Sequence, residues 1–196
     1  MEDTPASQDD LKEPLETDDK SSNDDWTELD QDGYENVLGS GRLRRKILSP
    51  GSGSSKPTKG DLVKIKLIAK FQDDIFEDEP EFQFNILEGE VVQALDLIVP
   101  LMVIGETDEI IADPDLGYGA FGFPPVCPPN AAITIEVTLL EHVESTSPLD
   151  LDLELRRNVG LRKKDRGNFW FNRNDYAKSV QCYRYARSSF DFFSPN

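Results

Sequence analysis

The residue types that do chemistry are sparse and scattered in this chain. Acids crowd at Asp73, Asp74, Glu77, Asp78, Glu79 and Glu81, and carboxylate oxygens are hard ligands that suit calcium. Their spacing is not that of a calcium-binding loop, and a solvated charged loop is the simpler reading. Two thiols, Cys127 and Cys182, lie far apart and make neither a disulfide framework nor a zinc spacing. With no base near Cys127 in sequence, it reads as a small apolar wall rather than a nucleophile. The lone histidine, His142, is expected past the last strand, facing solvent. Gly39-Ser40-Gly41 is too short a glycine run to claim a phosphate. No Ser/His/Asp set and no metal-ligand cluster is read in the sequence, and no metal or cofactor is expected. The most distinctive string is Gly117-Tyr118-Gly119-Ala120-Phe121-Gly122, a glycine-flexed loop carrying aromatics.

Charge divides the chain of 196 residues, whose net is −17. Residues 1–36 carry 14 acids against two lysines, residues 37–148 a net of −9, and residues 149–196 a net of +4. An acidic chain is repelled by phosphates, which argues against nucleic acid as a partner. No apolar run is long enough to span a bilayer, and the polar start has no secretory leader. With only two thiols, a reduced, cytosol-facing compartment is expected.

The first 36 residues cannot bury enough apolar surface to offset their ordering entropy, which predicts a disordered acidic tail. Its Trp26, Leu29 and Tyr34, with Val37, are either a docking motif or the run-up to a strand. From Arg42 to Lys46 an exposed strand face is expected. Period-two alternation predicts half-buried strands at Leu62 to Phe71, Glu81 to Asn85 and Ala132 to Leu140. A further strand is expected from Met102 to Ala112, turning at Gly105. Val91 to Val99 suits a short helix closed by Pro100. Many short strands with one helix indicate an α+β domain, an antiparallel sheet wrapped on a helix, over 37–144. A linker, 145–148, brings Pro148 to a helix start. In 149–196 two helices are expected, Leu149 to Phe171 and a second capped by Asp175 through about Ser189. They form an αα-hairpin.

Three stretches resemble the FK506-binding-protein family of prolyl isomerases: Leu48-Ser49-Pro50-Gly51-Ser52-Gly53 with Pro57 and Lys59-Gly60; Phe82-Gln83-Phe84 with Glu90-Val91-Val92-Gln93-Ala94-Leu95; and Gly117 to Gly122 running into Pro128-Pro129-Asn130-Ala131. The match spans about 42–143. The string Val91 to Leu97, and Leu38 to Lys46 after an acidic tail with a tryptophan, look like the membrane-anchored, multidomain branch. In the C-terminal piece, Gly167-Asn168-Phe169-Trp170-Phe171 with Tyr176, Ser179, Tyr183 and Ala186 is similar to one tetratricopeptide unit. One such unit cannot bury its face alone, so the chain reads as part of a longer protein.

The resemblance implies a pocket on Leu67, Phe76, Glu77, Phe82, Val91, Val92, Leu95, Tyr118, Phe123, Val126, Cys127 and Ile135. Tyr118 would donate its hydroxyl to the substrate carbonyl and Val92 its backbone N–H, with Phe76 and Glu77 beside them. Leu95 stands where active members carry a floor tryptophan. Leu67 replaces a tyrosine, Glu77 an aspartate, Ile135 a phenylalanine and Cys127 an isoleucine. Weak isomerase activity and weak drug binding are therefore expected, or a silent binding module. The resemblance also implies proline-containing substrates, with anti-apoptotic regulators, calmodulin and heat-shock chaperones as partners. It implies anchorage of the parent protein to the mitochondrial outer membrane or endoplasmic reticulum. Arg162-Lys163-Lys164 with Arg166 either helps clamp an acidic chaperone tail or is a solvated helix face.

Overall fold

A computed structural model describes residues 29–146 and 151–190. Trp26, most of the acidic tail and the proposed helix start at Pro148 lie outside them. Six antiparallel strands form one sheet: β1 (Glu35–Asn36), β2 (Leu43–Ser49), β3 (Leu62–Phe71), β4 (Asp74–Asn85), β5 (Thr107–Ala112) and β6 (Ile133–Val143). Their order across the sheet is β1-β2-β5-β6-β3-β4. The alternation read from sequence is the alternation observed. Val63, Ile65, Leu67 and Ala69 of β3 are buried, as are Ile133, Ile135, Val137 and Leu139 of β6. Helix α1 (Gln93–Ile98) drives Ala94, Leu95 and Ile98 into the same core. Pro100 lies in the 3₁₀ turn Val99–Leu101 that follows, where the helix must end.

Five expectations need correction. The sheet starts earlier than residue 37: Leu29 bridges Glu35, and Tyr34 packs under Arg44 and Lys46 and donates its hydroxyl to Glu109. For Leu29 and Tyr34 the run-up to a strand is what the chain adopts. The acidic run at 73–81 is mostly strand and not loop, because β4 begins at Asp74 and pairs with β3, with two register shifts on the way. Met102 to Ala112 is strand only from Thr107, since a turn with Gly105 at φ 84° precedes it. His142 lies within β6, its Nε2 2.8 Å from Asp61 Oδ2, and does not face solvent. Burial opposes ionisation of Asp61, but N–H donors from Thr58 and Ser145, together with His142, outweigh it and hold the carboxyl at about 2. Arg45 likewise leaves the predicted exposed face. It is buried, donating Nε to Asp108 at 2.5 Å and pairing with Glu106.

Helices α2 (Leu153–Asn172) and α3 (Tyr176–Ser188) form the expected hairpin, with α2 starting at Leu153 and not at Leu149. Asp152 caps α2 by accepting from Leu155 N–H at 2.7 Å, and Asp175 caps α3 by accepting from Lys178 N–H at 3.1 Å. The helices approach closely because Gly167 faces the Tyr183 ring; a Cβ there would sit 2.5 Å from a ring carbon. The hairpin does not leave its inner face bare. It lays that face on the sheet domain.

Candidate functional site

β4 and the loop after β5 converge on one end of the sheet. β4 presents Phe76, Glu77 and Phe82, and the loop presents Tyr118 and Phe123. The Phe76 and Tyr118 rings meet edge to face at 5.7 Å between centroids, Tyr118 and Phe123 at 5.1 Å, and Phe76 and Phe123 at 5.0 Å. Tyr118 donates its hydroxyl to Glu77 Oε2. Burial raises the Glu77 carboxyl, opposed in part by that hydrogen bond and by the charge of Arg166. Burial also raises the Tyr118 phenol well above its ordinary value, and the neighbouring Glu77 charge adds to the effect. The phenol therefore keeps its proton and acts as a donor.

The loop holds its shape through backbone pairing between Phe123 and Cys127, at 2.7 and 2.9 Å. Gly122 sits at φ 59°, and a Cβ on it would meet the Cys127 carbonyl at 2.5 Å, so only glycine fits there. Behind these groups Leu67, Val91, Val92, Leu95, Cys127 and Ile135 all belong to the buried core that Phe76, Phe82 and Phe123 pack against. Val126 is half-buried beside Cys127. The twelve positions thus divide into an aromatic front with one hydroxyl and one carboxyl, and an apolar back. Leu67 and Leu95 are well-packed core residues. Burial raises the Cys127 thiol, consistent with an inert wall.

Sequence reasoning missed the residues that cover this front, all of them from α2 and its C-cap, Arg173. Trp170 lies 6.1 Å from Tyr118 and is 2% exposed. Phe169 reaches Phe123 at 6.4 Å. The Arg166 guanidinium lies 4.9 Å from the Phe82 ring centre and 4.1 Å from that of Phe169. Arg173 lies 3.7 Å from the Phe123 ring centre and donates to the Gly122 carbonyl at 3.0 Å. The aromatic spacing of Phe169 and Trp170 was visible, but nothing in it distinguished a groove between repeats from a neighbouring domain.

Of the basic run on α2, Lys164 is exposed, whereas Arg162, Lys163 and Arg166 are engaged with the sheet domain. Lys163 is buried; it donates to Glu90 Oε1 at 2.9 Å and to Glu88. Arg162 donates to Glu90 Oε2 at 2.9 Å and to Asn85 Oδ1 at 2.5 Å, while Arg166 Nε donates to the Glu90 carbonyl at 2.7 Å. Glu90, just ahead of α1, is fully buried. Among the described residues no group of three or more acids, histidines or cysteines is placed to hold a metal.

The structure thus carries, on a sheet wrapped on one short helix, a buried phenol donor set among aromatic rings. Residues 53–140 match the family model of the FKBP-type peptidyl-prolyl cis-trans isomerases. FK506-binding protein 1A of Aspergillus fumigatus is 41% identical over 104 residues, covering 50% of this chain and 92% of that protein. Mouse peptidyl-prolyl cis-trans isomerase FKBP4 is 34% identical over 137 residues, which are 67% of this chain and 29% of that protein. In solved structures, the three FKBP domains of wheat FKBP73 align with a TM-score of 0.52 at 26% identity, covering 56% of this chain and 48% of that one. The chain belongs to the FKBP-type peptidyl-prolyl cis-trans isomerase family.

Proposed function

We propose that this chain is a prolyl isomerase and co-chaperone with a weakened pocket. Rotation about a peptide bond faces a barrier of ~20 kcal/mol, because resonance must be given up on the way. A dry aromatic pocket that favours the twisted amide lowers that barrier without nucleophile or metal. Tyr118 donates to the substrate carbonyl and Val92 offers its backbone N–H. Phe76, Phe82 and Ile135 line the walls, and Leu95 forms the floor. The observation that carries this reading is the convergence of Phe76, Tyr118 and Phe123 around a phenol whose proton is retained.

Activity is weak for two reasons. An aromatic contact is worth ~0.5–1.5 kcal/mol beyond area burial, and Leu95 and Leu67 forgo two of them. The Tyr118 hydroxyl also already donates to Glu77, with which a substrate carbonyl must compete. The test is isomerisation of a proline tetrapeptide, followed by exchange NMR. Tyr118→Phe should lower the rate about tenfold or more, and Leu95→Trp should raise it. A chain indifferent to both substitutions would not be using this pocket.

The second reading is a catalytically silent binding module, favoured by the cover that α2 lays over Tyr118 and Phe123. Its partners would meet the loop from Phe121 to Pro129, where Phe121 is exposed. The resemblance leads us to propose further that the hairpin opens a tetratricopeptide array. The parent protein would then be an apoptosis-linked immunophilin anchored to the mitochondrial outer membrane or endoplasmic reticulum. It would bind anti-apoptotic regulators, calmodulin and heat-shock chaperones. No described helix is long and apolar enough to cross a membrane. Co-purification of the tagged full-length protein with each partner, and its fractionation with either membrane, tests these assignments.

A further inference from the structure

We propose that α2 is an internal occupant of the prolyl pocket, so that the site is held shut by the chain itself and works only when the hairpin lifts. This rests on the reading of the Tyr118 front as that pocket. The front is capped from several directions. Trp170 lies against Tyr118, Arg173 is 3.7 Å from the Phe123 ring centre, and Arg166 spans Phe82 and Phe169. Tyr118 is left only 8% exposed, too little for a substrate amide to reach its hydroxyl. The Arg173 hydrogen bond to Gly122 pins the loop to the same helix.

The cover is attached by polar contacts to Asn85 and to the turn that leads into Val91 and Val92. Lys163 and Arg162 grip Glu90 and Asn85, and Cys182 of α3 donates its thiol to the Gly89 carbonyl at 3.3 Å. Such a latch is directional and can be released as a unit. One group also opposes the closed state. The Trp170 indole N–H is buried with no hydrogen-bond partner, and lifting the helix returns it to water. A docked face this polar, with an orphaned donor at its centre, suits a reversible lid better than permanent core. The rate seen with substrate is then the open pocket's rate scaled by the fraction of open molecules.

The experiment uses the full chain with Trp26→Phe, so that Trp170 alone reports, and a proline tetrapeptide as probe. Phe169→Ala with Trp170→Ala should raise the isomerisation rate about tenfold. Lys163→Met, which touches no pocket wall, should raise it in the same direction and shift Trp170 emission to the red. In each opened variant Tyr118→Phe should remove the gain. Should the double variant fold poorly, Lys163→Met carries the test alone. Unchanged rates in both variants, with the parent still sensitive to Tyr118→Phe, would overturn the lid and leave the pocket standing. A lower rate in the double variant would make Trp170 a substrate wall and overturn the lid as well. Rates insensitive to Tyr118→Phe in every background would remove the pocket reading, and the lid with it.

Discussion

The sheet domain and the hairpin are held by different forces. Inside the domain the contacts are mainly apolar: Phe84, Ile65, Ile110, Val137 and Leu139 are essentially without exposure, contributed by strands distant in sequence. Between domain and hairpin the ring contacts of Trp170 and Phe169 are joined by buried ion pairs to Glu90 and guanidinium groups on aromatic rings. Apolar burial is non-directional and tolerates small shifts. A buried charge that loses its partner is strongly penalised, so the polar contact tends to hold fully or let go. The first kind of contact makes a fold. The second makes a joint.

Four substitutions break or sharpen this contrast, from the largest effect down. Phe84→Ala empties the centre of the sheet core and should cost about 3–5 kcal/mol of global stability in urea unfolding followed by far-UV circular dichroism. Lys163→Met strands part of the Glu90 charge and should cost about 3 kcal/mol of docking. The loss should appear as hydrogen exchange in α2 and α3 while the strands stay protected. Asp96→Asn should stabilise the chain by about 2 kcal/mol at pH 7. Burial pushes the Asp96 carboxyl up to about 6, so the folded state prefers it protonated. Its penalty is absent below the unfolded value of 3.8, grows as pH rises through that window, and is complete above about 6. The asparagine variant should lose that slope and keep an acceptor for the Leu87 N–H, 2.8 Å from Oδ1. Arg173→Ala should loosen docking by about 1 kcal/mol and leave the sheet domain's melting unmoved.

What was legible in the sequence follows the same divide. Strands β3 and β6 could be read because one face is core and the other is not, which writes a period of two into the residues. The hairpin could be read through Asp175 and the glycines. The candidate pocket positions came as a set through family motifs, and most of them lie in or against one apolar core. Contacts between distant charges could not be read. Arg45 with Asp108 and Glu106, His142 with Asp61, and Lys163 with Glu90 look like any surface charge until the fold brings them together. The covering of Tyr118 was hidden for the same reason: Trp170 looks alike in sequence whether it fills a groove between repeats or a neighbour's pocket.

Cys182 gives this joint a built-in clock. Its sulfur is wholly enclosed where α3 meets the Gly89 turn, and burial lifts the thiol to about 11. Only the thiolate attacks an alkylating or disulfide reagent at useful speed. Modification of Cys182 in the native protein must therefore wait for the helices to swing away. Its labelling rate, set beside that of Cys127 within the sheet domain, would count those excursions directly.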